Sequence, residues 1–275
     1  MSLTLIDHFS LDSACLNFPE GKLYYYKTIA APADLPTLIL IPGWAGAAEM
    51  WQRQLNALSG RFNCLIFDYP GFGRSHFLSA NEASCNLNFH AELIKLVLDQ
   101  EGTGECIAIG HSIGGALALT LAEIDTRVTA VIGADSFTYM NLYPQADMQT
   151  AMAVKQGLMD DFTGSLNGLM DEYFPPGSDA ELRNWVTKTM ATANVPVGAA
   201  ILEQFMLWSL REKLDAYHGP VFAIAAEDTY VEEDFQPAFG DRIEVTCISK
   251  AGHFLMLDQA EAFNHRLLSL LNKLA

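Results

Sequence analysis

The sequence predicts an α/β protein with a mostly parallel central sheet, helices on both of its faces, and a helical insertion. Three observations predict it. Short apolar runs of strand length alternate with segments of helical spacing through the first half of the chain. The most apolar of these runs are continuous rather than alternating, as expected of strands covered on both faces. Between about residues 137 and 217 the alternation stops, helical spacing alone continues, and the strand pattern resumes afterwards.

Taken in order, Cys15 to Phe18 and Leu23 to Ile29 are β-prone runs separated by Pro19-Glu20-Gly21-Lys22, which reads as an edge hairpin. Thr37 to Ile41, bounded by Pro36 and Pro42, is too short for a helix and reads as a buried strand. The loop Pro42-Gly43-Trp44-Ala45-Gly46 leads into Ala48 to Leu58, where Trp51, Leu55 and Leu58 share a helical side. Phe62 to Phe67 is the next strand, followed by Asp68-Tyr69-Pro70-Gly71-Phe72-Gly73-Arg74-Ser75. Leu87 to Leu98 returns to helical spacing through Leu87, Ala91, Ile94 and Leu98.

At Cys106 to Ala118 a strand, Ile107 to Gly110, feeds a helix, Ala116 to Ala122, through Gly110-His111-Ser112-Ile113-Gly114. This is a G-x-S-x-G elbow, in which glycines flank the serine because the turn leaves no room for a side chain at either place. Val128 to Ala134 is a further strand, ending at Asp135. Helical candidates then run from Ala146 to Asp161, Ser165 to Tyr173, Ala180 to Ala193 and Val197 to Lys213, separated by Pro175-Pro176-Gly177 and Pro196. Strands Val221 to Ala226 and Glu244 to Ser249 follow, and Gln259 to Leu274 closes the chain as a helix with Phe263, Leu267, Leu270, Leu271 and Leu274 on one face.

Composition bounds the function. Half of the 275 residues are hydrophobic, enough for one large core or for a core plus a small accessory unit. Sixteen basic against thirty-three acidic residues give a net charge of -17, which repels nucleic acid and anionic membranes as partners. No run approaches a membrane span, and the start, MSLTLIDHFSLDSACLNF, lacks a basic region and a continuous apolar stretch, so no signal peptide is expected. Five cysteines, three of them (Cys64, Cys106, Cys247) inside strand-like runs, favour reduced thiols and a cytoplasmic setting. Neither a G-x-x-x-x-G-K-[ST] nor a G-x-G-x-x-G motif is present, and no His or Cys cluster has metal-ligand spacing, so no cofactor and no metal are expected.

The elements PGW after the third strand, DYPGFGRS after the fourth, GHSIGG after the fifth and the C-terminal AGHFLMLDQAEAF together resemble the α/β-hydrolase superfamily in order and spacing. The resemblance implies the α/β-hydrolase fold with a core domain of residues 1–136 and 218–275 and a helical cap over the active site at residues 137–217. It also implies a carboxylesterase-like serine hydrolase with a Ser-His-Asp triad.

A serine hydroxyl is a weak nucleophile near neutral pH and needs a base, and the base needs an acid that fixes its tautomer. Ser112 is the nucleophile, and His253, in a glycine-flanked loop after a strand, is the base. His111 beside the serine is expected to point away from it and serve packing. Two aspartates compete for the acid. Asp228 follows Val221 to Ala226 and has Val231 three places on, as in the superfamily's usual acid loop, although that loop is about one residue short and lacks its customary glycine. Asp135 occupies the position from which a minority of the superfamily supplies the acid. Asp228 ranks ahead of Asp135.

By resemblance, the backbone N-H groups of Trp44 and Ile113 form the oxyanion hole, with Pro42-Gly43 where the superfamily often has His-Gly. The insert holds seven of ten methionines (Met140, Met148, Met152, Met159, Met170, Met190, Met206), which would line an acyl or aromatic pocket or else form the insert's own core. The expected reaction is hydrolysis of a small to medium acyl or aromatic ester, with a small-molecule substrate and an undetermined oligomeric state. Lactones, thioesters and carbon-carbon bonds in diketones use the same triad. A cofactor-free dioxygenase, since relatives that cleave heteroaromatic rings with dioxygen resemble this chain in a PGW-like loop and some use an acid where Asp135 lies, and a non-turnover receptor are the alternatives from other classes.

Overall fold

The computed structural model describes residues 11–28, 35–78, 85–140, 143 and 145–274. Residues 1–10, where most of the expected absence of a leader was read, and Ile29, the expected end of the second strand, lie outside the described residues.

An antiparallel hairpin of β1 (Leu11–Phe18) and β2 (Gly21–Thr28) opens the chain, turning at Pro19-Glu20. Next come β3 (Thr37–Ile41), a 3-10 turn at Ala48–Trp51 that runs into α1 (Gln52–Leu58), β4 (Cys64–Asp68), the short β5 (His76–Phe77) and α2 (Leu87–Gln100). β6 (Cys106–His111) passes through Ser112 into α3 (Ile113–Ile124), and β7 (Val128–Ala134) follows.

Five helices come before the next strand: α4 (Met148–Asp160), α5 (Phe162–Tyr173), α6 (Ala180–Met190), α7 (Val195–Met206) and α8 (Leu210–Ala216). β8 (Val221–Ala226), a 3-10 turn at Glu227–Thr229, α9 (Glu232–Phe239), β9 (Ile243–Ile248), α10 (Leu255–Asp258) and α11 (Ala260–Leu274) complete the chain. The helix expected over Val197 to Lys213 is two helices, because Ser209 caps a new one by accepting from the Glu212 N-H.

The strands form one sheet in the order β1-β2-β4-β3-β6-β7-β8-β9, with β5 on β2. β3, β4, β6, β7, β8 and β9 pair in parallel, and β2 joins β4 antiparallel. This is the α/β-hydrolase fold with a mostly parallel sheet. β3, β4, β6, β7 and β8 are buried almost throughout, which is why they read as continuous apolar runs rather than alternating ones. β6, which carries the elbow, has β3 on one side and β7 on the other, so its C-terminal end sits at the centre of the edge where loops converge. Among the described residues no helix is long and apolar enough to cross a membrane.

The insert's methionines divide by position. Met170 and Met190 lie in the insert's own core, whereas Met148, Met152 and Met159 share one outward face of α4 and are exposed. Those five therefore do not line a pocket. Cys64, Cys85 and Cys106 are buried, Cys15 and Cys247 are half-buried, and none of the five is joined in a disulfide.

Candidate active site

Ser112 stands between β6 and α3 with φ 53 and ψ -125, a left-handed backbone that non-glycine residues adopt only under constraint. The constraint is the packing of the flanking glycines. A Cβ on Gly110 would lie 2.0 Å from the Gly114 carbonyl oxygen, and one on Gly114 would lie 2.4 Å from that of Pro42. The elbow is therefore pressed against its own helix and against the loop after β3. The Ser112 N-H donates to the Ala134 carbonyl at 3.0 Å, and the pairing of His111 with Ala134 sets Ser112 and Asp135 side by side at the ends of neighbouring strands.

Asp135 is wholly enclosed, and His253 Nδ1 lies 2.7 Å from its Oδ2. Its other oxygen, Oδ1, accepts from the Ala226 N-H and the Thr229 hydroxyl, both at 2.9 Å. Three donors thus hold one buried carboxylate and fix the plane of the His253 ring. Asp228 is exposed at the surface and does not reach the histidine. Of the two aspartates, the one in contact with His253 is Asp135, which ranked second on sequence. The tight 3-10 turn at Glu227–Thr229 aims the Thr229 hydroxyl inward and leaves Glu227 and Asp228 facing solvent.

His253 is only 4% exposed and is sandwiched between rings. Tyr173, at the end of α5, lies over it with ring centroids 4.1 Å apart, and His111 lies on another side at 4.7 Å. The backbone is gripped as well. The His253 N-H donates to the Tyr173 carbonyl at 3.1 Å, and His111 Nε2 lies 2.9 Å from the His253 carbonyl oxygen. Burial, followed by the proximity of His253, holds the His111 pKa well below its ordinary value. His111 is thus a neutral ring that donates from Nε2 to a carbonyl, so it braces the histidine loop rather than merely filling space.

Trp44 and Ile113 are both buried. Ile113 opens α3, where the first N-H groups of a helix have no intrahelical acceptor. The Trp44 indole donates to the Gly198 carbonyl in α7 at 2.8 Å and packs near Phe162 of α5. The same residue therefore ties the loop after β3 to the helical insert.

Asp68, in the DYPGFGRS loop, is buried and accepts from the Ala48 N-H at 2.6 Å and the Arg74 N-H at 3.0 Å. Burial raises its pKa, and these backbone donors work in the opposite direction. Its part is to pin the loops that border the site. Among the described residues no group of three or more His, Cys, Asp or Glu side chains is arranged to hold a metal ion.

Thr229, Tyr173 and the bracing role of His111 were not signalled in the sequence. Only adjacency hinted at them, since Thr229 follows Asp228 and His111 precedes Ser112.

Comparison with known proteins agrees with this geometry at the level of the fold. A stretch of 121 residues is 31% identical to the magnesium-chelatase 30 kDa subunit of Rhodobacter capsulatus, covering 44% of this chain and 42% of that protein. The chain spans less than half the length of the first curated relatives it matches. A longer alignment, 23% identical over 241 residues, covers 83% of this chain and 92% of the pimeloyl-acyl-carrier-protein methyl ester esterase of Nitrosomonas europaea. Among solved structures, the esterase EaEST from Exiguobacterium antarcticum superposes with a TM-score of 0.77 at 20% identity, covering 92% of this chain and 96% of that one. Residues 38–266 match the alpha/beta hydrolase family, and the chain belongs to it.

Proposed function

We propose that the protein is a cofactor-free serine hydrolase acting on a carboxylic ester, with Ser112, His253 and Asp135 as its triad. The observation that carries the reading is the 2.7 Å contact between His253 Nδ1 and the enclosed Asp135 carboxylate, beside a serine held in a strained elbow. With Nδ1-H committed to Asp135, the lone pair of Nε2 is the one available to take the serine proton.

In the reaction, Ser112 Oγ attacks the ester carbonyl carbon as its proton passes to His253 Nε2, and the carbonyl electron pair moves onto oxygen. The amides of Trp44 and Ile113 bind that oxyanion. Collapse expels the alcohol with the proton from His253 and leaves an acyl-serine. Water then attacks the acyl-serine, giving its proton to His253, and the carboxylic acid leaves as Ser112 is reprotonated.

Residues 137–217 serve as a cap on a core of residues 1–136 and 218–275. The contacts of Trp44 with Gly198 and of Tyr173 with His253 support this. The substrate is a small molecule with a small to medium acyl or aromatic group. The methyl ester esterase, similar over 83% of this chain, supports an ester. Five cysteines with no disulfide between them fit a cytoplasmic setting.

The test is a panel of p-nitrophenyl esters and lactones with wild type and Ser112→Ala, alongside covalent labelling by a fluorophosphonate. We expect ester turnover and labelling in the wild type and neither in Ser112→Ala. Lactone turnover without ester turnover would redirect the assignment to a lactonase, and diketone cleavage to a carbon-carbon bond hydrolase. One observation favours a second reading. An acid at the end of β7 is the arrangement of some cofactor-free dioxygenases of this fold, and Asp135 occupies it. Oxygen uptake with a heteroaromatic substrate, in the absence of ester hydrolysis, selects that reading.

A further inference from the structure

An oxyanion donor is only as well aimed as its peptide plane. In a trans peptide the N-H and C=O groups are coplanar and point in opposite directions, so anchoring the carbonyl aims the amide. Both donor peptides of this protein are anchored in the same way. The carbonyl of Gly43, whose peptide supplies the Trp44 N-H, accepts from the Tyr69 hydroxyl at 3.1 Å and from the Gly46 N-H at 3.0 Å. The carbonyl of Ser112, whose peptide supplies the Ile113 N-H, accepts from the Ser136 hydroxyl at 2.7 Å and from the Gly115 N-H at 2.9 Å.

In each case a turn amide and a buried side-chain hydroxyl share the carbonyl, and at Ser112 the Tyr143 hydroxyl also reaches it, at 3.4 Å. We infer that Tyr69 and Ser136 are positioning residues of the oxyanion hole, each acting through the carbonyl of a donor peptide. This rests on the serine hydrolase reading and assigns two residues it did not include.

The chemistry of the two hydroxyls suits the role. Tyr69 is fully enclosed, and burial raises its pKa, so it stays protonated and can only donate to Gly43. Ser136, also buried, has one proton. The Tyr143 hydroxyl lies 2.8 Å from Ser136 Oγ and also donates to the Ser112 carbonyl at 3.4 Å, so both hydroxyls converge on that oxygen, Ser136 from the shorter distance. Burial pushes the Tyr143 pKa up to about 12, so this donor too keeps its proton. A carbonyl that accepts a hydrogen bond also polarises its peptide, which strengthens the N-H facing the developing oxyanion. Gly115 leaves the space this hydroxyl occupies, since a Cβ there would lie 2.1 Å from Ser136 Oγ.

The test uses Tyr69→Phe and Ser136→Ala in the full-length protein, with a p-nitrophenyl ester, a trifluoromethyl ketone that forms a tetrahedral adduct, and the product carboxylate as inhibitor. Ser75→Ala is the comparison. The Ser75 hydroxyl is a buried donor to the Asp68 carbonyl and reaches neither donor peptide.

We expect each of the first two variants to lower kcat by about tenfold with KM nearly unchanged, and to weaken the ketone by a similar factor. Product inhibition should stay as in wild type. Ser75→Ala should lower the Tm and leave kcat near wild type. If Ser136→Ala does not fold, Ser136→Cys, a weaker donor of similar size, should lose an intermediate amount. The inference is overturned if both variants keep kcat and ketone affinity within about twofold of wild type, or if Ser75→Ala loses as much of both. A wild type that turns over no ester and takes no fluorophosphonate at Ser112 instead removes the parent reading and this one with it.

Discussion

At the scale of single residues, the histidine needs one carboxylate, and two aspartates stood within plausible reach along the chain. Geometry separates them, because Asp135 meets Nδ1 at the edge of the His253 ring and Asp228 faces solvent. Asp135→Asn preserves the shape of the side chain but cannot hold the same tautomer. It is expected to lower ester turnover by a factor on the order of 10⁴. Asp228→Asn is expected to stay within about twofold of wild type, as exposed substitutions generally do. Steady-state assays of the two variants side by side check both. A large loss in Asp228→Asn with little in Asp135→Asn would reverse the assignment.

Among the elements, the helical insert carries its own start signals and, besides the hydrogen bond of Trp44 to Gly198, a direct grip on the histidine. Asp147, Asp161, Asp179, Asn194 and Ser209 each stand at a helix start and accept from an N-H of the first turn. Asp179→Ala leaves the first-turn amides of Glu181 and Leu182 without that acceptor and should cost about 1 kcal/mol in denaturant unfolding. The grip is Tyr173, whose ring lies 4.1 Å from that of His253. Tyr173→Phe should react with a fluorophosphonate at the wild-type rate, because the ring contact survives. Tyr173→Ala should react about tenfold more slowly, because the base loses one wall of its slot. Phe174→Ala, which removes the stack on Phe254 but not the contact with His253, separates loss of docking from loss of positioning. Equal losses in Tyr173→Ala and Phe174→Ala would point to docking alone.

For the molecule as a whole, stability is tied to pH through buried imidazoles. His90 lies fully enclosed among the rings of Tyr69, Phe77 and Phe89, with neither ring nitrogen hydrogen-bonded, and burial lowers its pKa to about 3. Below the ordinary histidine pKa the unfolded chain binds a proton that the folded one refuses. Stability therefore falls as pH drops from about 6.5 towards 3, by up to about 1.4 kcal/mol per pH unit for this group. His111 acts in the same direction. Asp68, with its pKa raised by burial, has the opposite sign, since its contribution is present at low pH and lost as pH rises. The difference between wild type and His90→Phe isolates the first effect. Urea unfolding at pH 7 and pH 5 should show a shallower loss in the variant, and parallel curves would contradict the buried neutral histidine.

Much of the fold was legible because its signals are local. Thr37–Ile41, Val128–Ala134 and Val221–Ala226 fall where continuous apolar runs placed them, since a strand covered on both faces needs apolar residues at every position. The elbow was legible for a related reason, because the crowding of Gly110 and Gly114 leaves an imprint at fixed offsets from the serine. What the sequence by itself determined was the order of the main strands and most of the helices, though not β5, α9 or the break between α7 and α8, together with the serine elbow and the position of the histidine in a glycine-flanked loop. What only the tertiary structure decided was which groups meet across long separations: Asp135 with His253, Tyr173 over the same ring, Tyr69 on Gly43 and Ser136 on Ser112. Such pairs depend on which strand ends lie side by side and on the direction a single tight turn gives a side chain. Neither property leaves a periodic trace along the chain, because hydrogen bonds between distant residues constrain only the two partners and nothing between them.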